Sequence, residues 1–253
     1  MSGAGNDFAV VDIRGTAPEL SALAKQLCRI TGADGFLAVD TSEIADFRLH
    51  FYNSDGSRGE MCGNGARCVC RFAYELGIAG ETMTVQTDAG LVKAWRLSNE
   101  QYRVQLNEPG VFDPRRKENC AYVELGDPGI PHAVTRLRSL TWDMGDKLRS
   151  LGQALRYDPA FPKGANVNFY VPLAPGRVRI LTYERGVEDY TLACGTGSAS
   201  VAVTLWLSGQ LPGGRLEAEN RGGTLTVTVE GSKDKVTALY LEGPAQILKT
   251  LEL

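Results

Sequence analysis

Cys62-Gly63-Asn64-Gly65-Ala66-Arg67 and Cys194-Gly195-Thr196-Gly197-Ser198-Ala199 share one pattern: cysteine, glycine, polar residue, glycine, small residue. Each runs into a segment whose apolar residues recur at helical spacing, Val69, Phe72, Ala73 and Leu76 after the first and Val201, Ala202, Leu205 and Trp206 after the second. Gly77 and Gly209 supply the stops. The spacing therefore predicts two helices, each beginning just after a cysteine. A thiol in that position lies beside unpaired backbone N–H groups and the positive end of the helix dipole, which favours thiolate. The glycines allow a ligand to approach those N–H groups closely.

Outward from the two cysteines the chain repeats itself. Alternating strand candidates precede each one, Phe47 to Tyr52 and Val178 to Tyr183, followed by the polar turns Asn53-Ser54-Asp55-Gly56 and Glu184-Arg185-Gly186. Helix candidates lie earlier still, Leu20 to Ile30 and Leu148 to Leu155, ahead of the strands Gly35 to Val39 and Val167 to Val171. Downstream, Thr87-Asp88-Ala89-Gly90 and Asn220-Arg221-Gly222-Gly223 each open another alternating run, and Glu108-Pro109 and Gly243-Pro244 are read as closing strands. The expected fold is α+β, with two pseudo-symmetric domains, each a mostly antiparallel sheet or barrel around a central helix. The Pro- and charge-rich stretch Val111 to Lys117 suggests domains 1–114 and 115–253, the last strand returning to the first domain.

Composition narrows the function. The 253 residues are 43% hydrophobic and 23% charged, which excludes collagen-like and disordered classes. A formal net charge of −3 lacks the basic footprint of a nucleic-acid binder. Apolar runs are short and the N-terminus has no leader-like pattern, so a cytoplasmic chain without nucleic-acid or membrane partners is expected. Glycine is abundant, at 29 residues. The six cysteines, scattered through a chain too long to need staples, are expected as reduced thiols. Cys62, Cys68 and Cys70 lack the spacing of a structural zinc site, so no metal is expected. Cys28, Cys68, Cys70 and Cys120 read as small buried hydrophobes.

Two related domains face to face would bring two helix N-termini, each with its thiol, to one cleft. Backbone N–H groups of Gly63, Asn64, Gly195 and Thr196 could hold a substrate α-carboxylate and the charge that develops when its α-proton leaves. One cysteine as thiolate would remove that proton while the other delivers one to the opposite face, inverting the centre.

The stretches Met61 to Arg67, Glu184-Arg185-Gly186-Val187-Glu188 and Leu192 to Gly197, together with Gly5-Asn6-Asp7-Phe8, resemble the signature of the diaminopimelate epimerase family, over essentially the whole chain. The resemblance implies interconversion of LL- and meso-diaminopimelate, for lysine and cell-wall precursors, without pyridoxal phosphate or metal. It implies Cys62 and Cys194 as the acid/base pair with His132 and Glu184 beside them. Asn6, Gly63, Asn64, Gly195 and Thr196 would hold the reacting end of the amino-acid substrate, and Asn53, Asn166, Glu184 and Arg185 the distal end. An arginine fork with amide donors suits a second carboxylate, and carboxylate or carbonyl acceptors suit a second ammonium. A homodimer is also implied.

Other readings compete with parts of this one. Asn53 and Glu184 lie in turns, where such residues occur for backbone reasons alone, and His132 by itself would be an ordinary turn residue. Ile130 stands where the family has an asparagine, an apolar side chain in place of a distal amide, and Gly35 is a minor departure. Only Met1 to Ala4 precede Gly5-Asn6, so one strand of the first domain is expected to be missing, leaving an unpaired edge. Racemases of histidine, proline or hydroxyproline on the same fold are alternatives, although Asn64 departs from the histidine expected at the first cysteine of the last two. A thiol–disulfide redox protein is the rival from another class, and a non-catalytic binding module a third.

Overall fold

The computed structural model describes residues 1–59 and 62–251. Met61 of the quoted motif and the last residues of the 115–253 expectation lie outside that range. The chain divides into two units, Met1–Gln105 with Glu242–Leu253, and Leu106–Leu241. The fold is α+β, with strands predominating over four α-helices among the described residues.

The first unit runs β1 (Ser2–Gly3), β2 (Asn6–Asp12), α1 (Leu20–Thr31), β3 (Gly35–Asp40), β4 (Phe47–Asn53), β5 (Arg58–Gly59), α2 (Gly63–Glu75), β6 (Thr82–Thr87), β7 (Gly90–Arg96) and β8 (Gln101–Leu106). The second runs β9 (Pro109–Lys117), β10 (Cys120–Gly126), β11 (Gly129–Arg136), α3 (Gly145–Arg156), β12 (Asn166–Ala174), β13 (Arg177–Glu184), β14 (Asp189–Tyr190), α4 (Gly195–Leu207), β15 (Arg215–Asn220), β16 (Gly223–Ser232) and β17 (Lys235–Pro244).

The pairing repeats strand for strand. In the first unit β2 and β3 are parallel, β3 and β4 antiparallel, β4 also meets the short β5 antiparallel and β6 parallel, and β6 and β7 are antiparallel. In the second, β11 and β12, β12 and β13, β13 with β14 and β15, and β15 and β16 take the same senses in the same order. The hairpins match in register too, closing at Thr87↔Gly90 and Asn220↔Gly223.

Within each unit the helix after the cysteine is the one the strands surround. α2 packs on β1, β2, β3, β4 and β7, and α4 on β9, β10, β11, β12, β15 and β16. α4 buries Val201, Ala202, Val203 and Leu205 from successive directions, as a helix apolar all round must. The other two helices lie on the sheets with one face inward. α1 buries Ala24, Leu27 and Cys28, is capped by Glu19 accepting from the Ser21 and Ala22 N–H groups, and stops at left-handed Gly32. α3 buries Leu148, Gly152 and Leu155 against a core with Phe161, Phe169 and Leu181.

Three expectations are corrected. Val111 to Lys117 is no linker: it lies inside β9, paired antiparallel with β10, and the units part at Gln105 and Leu106. Exposed side chains and Pro114 suit a strand at a sheet margin as well as a loop, which made the stretch read as a boundary. For the same reason Glu108-Pro109 does not close a strand; β8 ends at Leu106 and Pro109 opens β9. The strand thought missing is present in short form, since Ser2–Gly3 pairs with β2 and exchanges backbone hydrogen bonds of 2.8 Å with Gln246 in both directions. The bridge to Gln246 is remote in sequence and so invisible in it.

Candidate active site

Each cysteine is the N-cap of its helix, in extended backbone conformation, with φ and ψ of −132° and 118° at Cys62 and −117° and 112° at Cys194. Their carbonyls accept the first helical N–H bonds, from Ala66 at 2.8 Å and Ser198 at 3.0 Å. The following N–H groups have no earlier turn to bond to, which makes each helix start an anion-favouring surface with a thiol at its rim. All six cysteines are thiols.

In the first unit Cys62 is half-buried and Gly63, Asn64 and Gly65 are buried. Gly3 lies so close to the Asn64 carbonyl that a Cβ there would stand 2.8 Å from the oxygen. Because Gly3 pairs with Asn6, that contact sets Asn6 beside the start of α2. The Asn6 Oδ1 is buried with no hydrogen-bond partner among the described residues. Asn53, paired with Gly35 at the end of β4, is exposed and donates its side-chain N–H to Ser57 Oγ at 2.9 Å. It therefore also serves its own turn.

Arg67, which the sequence reading gave no role, is fully buried one turn into α2. Its guanidinium folds back toward the helix start, donating to the Gly63 carbonyl at 3.2 Å, Asn64 Oδ1 at 3.0 Å and the Pro244 carbonyl at 3.4 Å. The Asn64 bond fixes the amide, committing its oxygen to Arg67. Burial pushes the neighbouring Cys68 thiol up to about 12 and raises Cys70 further.

In the second unit Cys194 is 7% exposed. Its Sγ accepts from the Gly197 N–H at 3.3 Å, a donor that stabilises a sulfur anion, and lies 3.6 Å from Thr196 Oγ1. Gly197 is obligatory in this packing, because a Cβ there would meet Asn168 Oδ1 at 2.2 Å. Asn168, from β12, donates its amide to His132 Nδ1 at 3.2 Å, the Ala133 carbonyl at 3.1 Å and the Asn166 carbonyl at 3.3 Å, and accepts from Thr182 Oγ1 at 3.0 Å.

His132 is fully buried in β11, and burial, with the charge of Arg185, holds its pKa down at about 3. The ring is therefore neutral at physiological pH. With Nδ1 accepting from Asn168, the proton resides on Nε2, which has no partner among the described residues. Asn166 pairs in register with His132, and its Oδ1 accepts from the Arg185 backbone N–H at 2.8 Å. Glu184, at the end of β13, has its carboxyl pKa raised by burial, and Arg185 is exposed, donating to the Lys163 carbonyl at 3.2 Å.

Two groups thus form, one in each unit: Arg67 bonded to Gly63 and Asn64 at the helix start that Cys62 caps, with Asn6 beside it; and Asn168 bonded to His132 and packed on Gly197 of the helix that Cys194 caps, with Asn166, Glu184 and Arg185 at the adjoining strand ends. Asn53 lies exposed at the end of β4, bonded to Ser57 of its own turn. Arg67 and Asn168 are the residues that sequence reading missed. Arg67 stood within the quoted motif, where an arginine between small residues at a helix start was the available signal. Asn168 carried a fainter one, a second amide two residues after Asn166 among Val167, Phe169 and Val171. Ile130 pairs with Leu125 and is half-buried. Among the described residues no cluster of His, Cys, Asp and Glu is arranged to hold a metal, and no helix is long and apolar enough to cross a membrane.

The model of the family described as diaminopimelate epimerase matches residues 1–110 and 126–248. The chain belongs to the diaminopimelate epimerase family. The diaminopimelate epimerase of Chlorobaculum tepidum is 37% identical over 97% of this chain and 96% of its own length, and that of Aquifex aeolicus 35% identical over 96% and 92%. Among solved structures, a phenazine biosynthesis protein of the PhzF family from Bacillus anthracis superposes with a TM-score of 0.73 at 15% identity, covering 97% of this chain and 93% of that one. A hydroxyproline epimerase from Agrobacterium vitis superposes at 0.68 with 18% identity, covering 96% and 86%. Those two likenesses are of fold. Membership of the epimerase family makes this chain an isomerase.

Proposed function

We propose that this chain interconverts LL-2,6-diaminopimelate and meso-diaminopimelate by proton transfer at the α-carbon, with Cys62 and Cys194 as the acid/base pair. The observation that carries this reading is the recurrence of a cysteine N-cap, with glycines behind it, at the same step of two identical topologies inside an epimerase family. A duplication kept only for its fold would accept any small residue at those caps.

In the reaction one cysteine, as thiolate, takes the α-hydrogen as a proton and leaves its electron pair on the α-carbon and carboxylate. The other, as thiol, gives a proton to the opposite face and becomes the thiolate. The N–H groups of Gly63, Asn64, Gly195 and Thr196, with the Asn6 amide, hold the carboxylate as that charge grows. Neutral His132 contributes an Nε2–H donor and Glu184 a carboxyl of raised pKa beside the reacting end. Asn53, Asn166, Glu184 and Arg185 recognise the distal amino-acid end. No cofactor takes part. A cytoplasmic homodimer belongs to this reading, and its mass in solution tests the dimer.

Ile130 favours a second reading, a racemase of another amino acid, because an apolar side chain stands where a distal carboxylate would want an amide. Incubation with each diaminopimelate isomer, histidine, proline, hydroxyproline and other single amino acids in deuterated water separates the two by chiral chromatography and proton NMR. Conversion of the LL to the meso isomer, far faster than any monocarboxylic substrate, is expected. Conversion of a single-headed amino acid alone would replace the substrate, and exchange with none would refute both readings.

A further inference from the structure

The second unit holds a buried carboxylate that the proposed reaction does not use. Glu124, on β10, is 7% exposed, yet both of its oxygens are engaged. Oε1 accepts from the Tyr122 hydroxyl at 2.6 Å, and Oε2 from the Lys163 ammonium at 2.7 Å. Burial alone would push this carboxyl up, but the bonds from Lys163 and Tyr122 outweigh it and hold the group below the ordinary carboxylate range. Glu124 is therefore an anion at physiological pH, and its counter-charge is a lysine whose side chain is 54% exposed.

Lys163 is tied at two points. Its side chain ends on Glu124, and its carbonyl, in the connection between α3 and β12, accepts from Arg185 Nη1 at 3.2 Å. The Arg185 backbone N–H is fixed on Asn166 Oδ1 at 2.8 Å, while among the described residues no carboxylate pairs with its guanidinium. An arginine presents its N–H donors as a planar fork. One donor spent on Lys163 restrains that fork and leaves the others for a ligand. The Arg185 charge acts on both His132 and Tyr122, so the guanidinium stands near the strands that carry them.

The turn beside this pair offers little else. Gly129 lies against Glu124, where a Cβ would meet Oε2 at 3.1 Å, and the next residue, Ile130, brings no side-chain donor. Arg116 lies over the Tyr122 ring but gives its Nε to the Ala160 carbonyl and faces Asp113 at 3.7 Å. Arg185, Lys163 and Glu124 together carry one excess positive charge, which a single carboxylate would balance.

We infer that Lys163 is a positioning residue for carboxylate recognition: anchored on Glu124 through its side chain, it holds the Arg185 fork through its carbonyl at the distal end of the substrate. The inference deepens the proposed function and rests on it for the identity of that substrate. Glu124 and Tyr122 act one step further back, as the anchor.

The test is steady-state epimerisation of LL-diaminopimelate by the full chain and by its Lys163→Met, Glu124→Gln and Lys163→Arg variants, with thermal unfolding measured alongside. Lys163→Met should raise KM by about five- to tenfold with kcat within about threefold of native, because the reacting end is untouched. Glu124→Gln keeps an acceptor for Tyr122 and should shift KM in the same direction, since an exposed ammonium without its anion returns to solvent; it is the variant to read if Lys163→Met does not fold. Lys163→Arg, still able to reach the carboxylate, should recover most of the native KM. A merely structural role would lower the melting temperature and the active fraction, and so the apparent kcat, but leave KM in place. A native KM in both Lys163→Met and Glu124→Gln overturns the inference while the proposed reaction stands. Should the native chain convert a single-headed amino acid and not diaminopimelate, or neither, the proposed substrate and this inference fall together, because no distal carboxylate is then recognised.

Discussion

Replacing Asn168 with alanine removes the group that four buried partners share in the second unit. His132 Nδ1, the Ala133 and Asn166 carbonyls and Thr182 Oγ1 all bond to it at 3.0–3.3 Å. His132, Asn168 and Thr182 are each 3% exposed or less, so water cannot take the amide's place without entering the core. The strand carbonyls have other lone pairs; the imidazole nitrogen and the threonine hydroxyl lose most. Leaving two buried polar groups unsatisfied, at about 1–3 kcal/mol each, gives a cost of roughly 2–6 kcal/mol. Urea denaturation should show that loss as a lower midpoint with unchanged slope. A double-mutant cycle sharpens the argument, because Thr182→Val in the Asn168→Ala background removes a hydroxyl already orphaned. The pair should be coupled by about 1 kcal/mol or more. A single-mutant cost below about 0.5 kcal/mol, typical of a surface site, or strict additivity, would refute the network as described.

Cys62→Ser and Cys194→Ser should each lose at least about a hundredfold in epimerisation with unchanged far-UV circular dichroism, because a hydroxyl ionises too weakly to take or give the proton at neutral pH; near-normal turnover in either contradicts the two-base assignment. Gly197→Ala should destabilise by roughly 1–3 kcal/mol or more, since its Cβ would meet Asn168 Oδ1 at 2.2 Å, and thermal unfolding measures it. His132 has a folded pKa of about 3 against a reference of 6.5, so the unfolded chain binds the extra proton between those values. Its contribution to stability is complete above pH 6.5 and is lost as pH falls through that window, with a slope of up to about 1.4 kcal/mol per pH unit. His132→Gln should flatten that slope in urea titrations across the window, and an unaltered slope would contradict the assignment.

Legibility in the sequence followed the range of the interactions involved. The helix starts at Cys62 and Cys194 were readable because cap, glycines and apolar period are local, and α2 and α4 begin at Gly63 and Gly195. The repeat was readable because equal offsets survive any spatial arrangement. Ser2–Gly3 was misread because a two-residue strand is too short to show a period, and the bridge that adds to its pairing with β2, to Gln246, comes from the other end of the chain. Val111 to Lys117 misled because a margin strand and a linker share the same polar, proline-tolerant composition. Asn168 escaped because its partners, His132 and Thr182, come from strands on either side, which only the register brings together. Arg67 escaped because one of its acceptors, the Pro244 carbonyl, comes from the far end of the chain, and only the fold brings the two together.

The most direct test of two thiols acting on one carbon is the distribution of label at early time. LL-diaminopimelate is supplied in deuterated water, and the isomers are separated before a tenth of it has reacted. Two bases on opposite faces predict meso product carrying one solvent deuterium at the inverted centre, with recovered LL substrate essentially unlabelled. Deuterium entering recovered substrate and product alike, or product retaining its original hydrogen, would mean a single base serves both faces and would contradict the account.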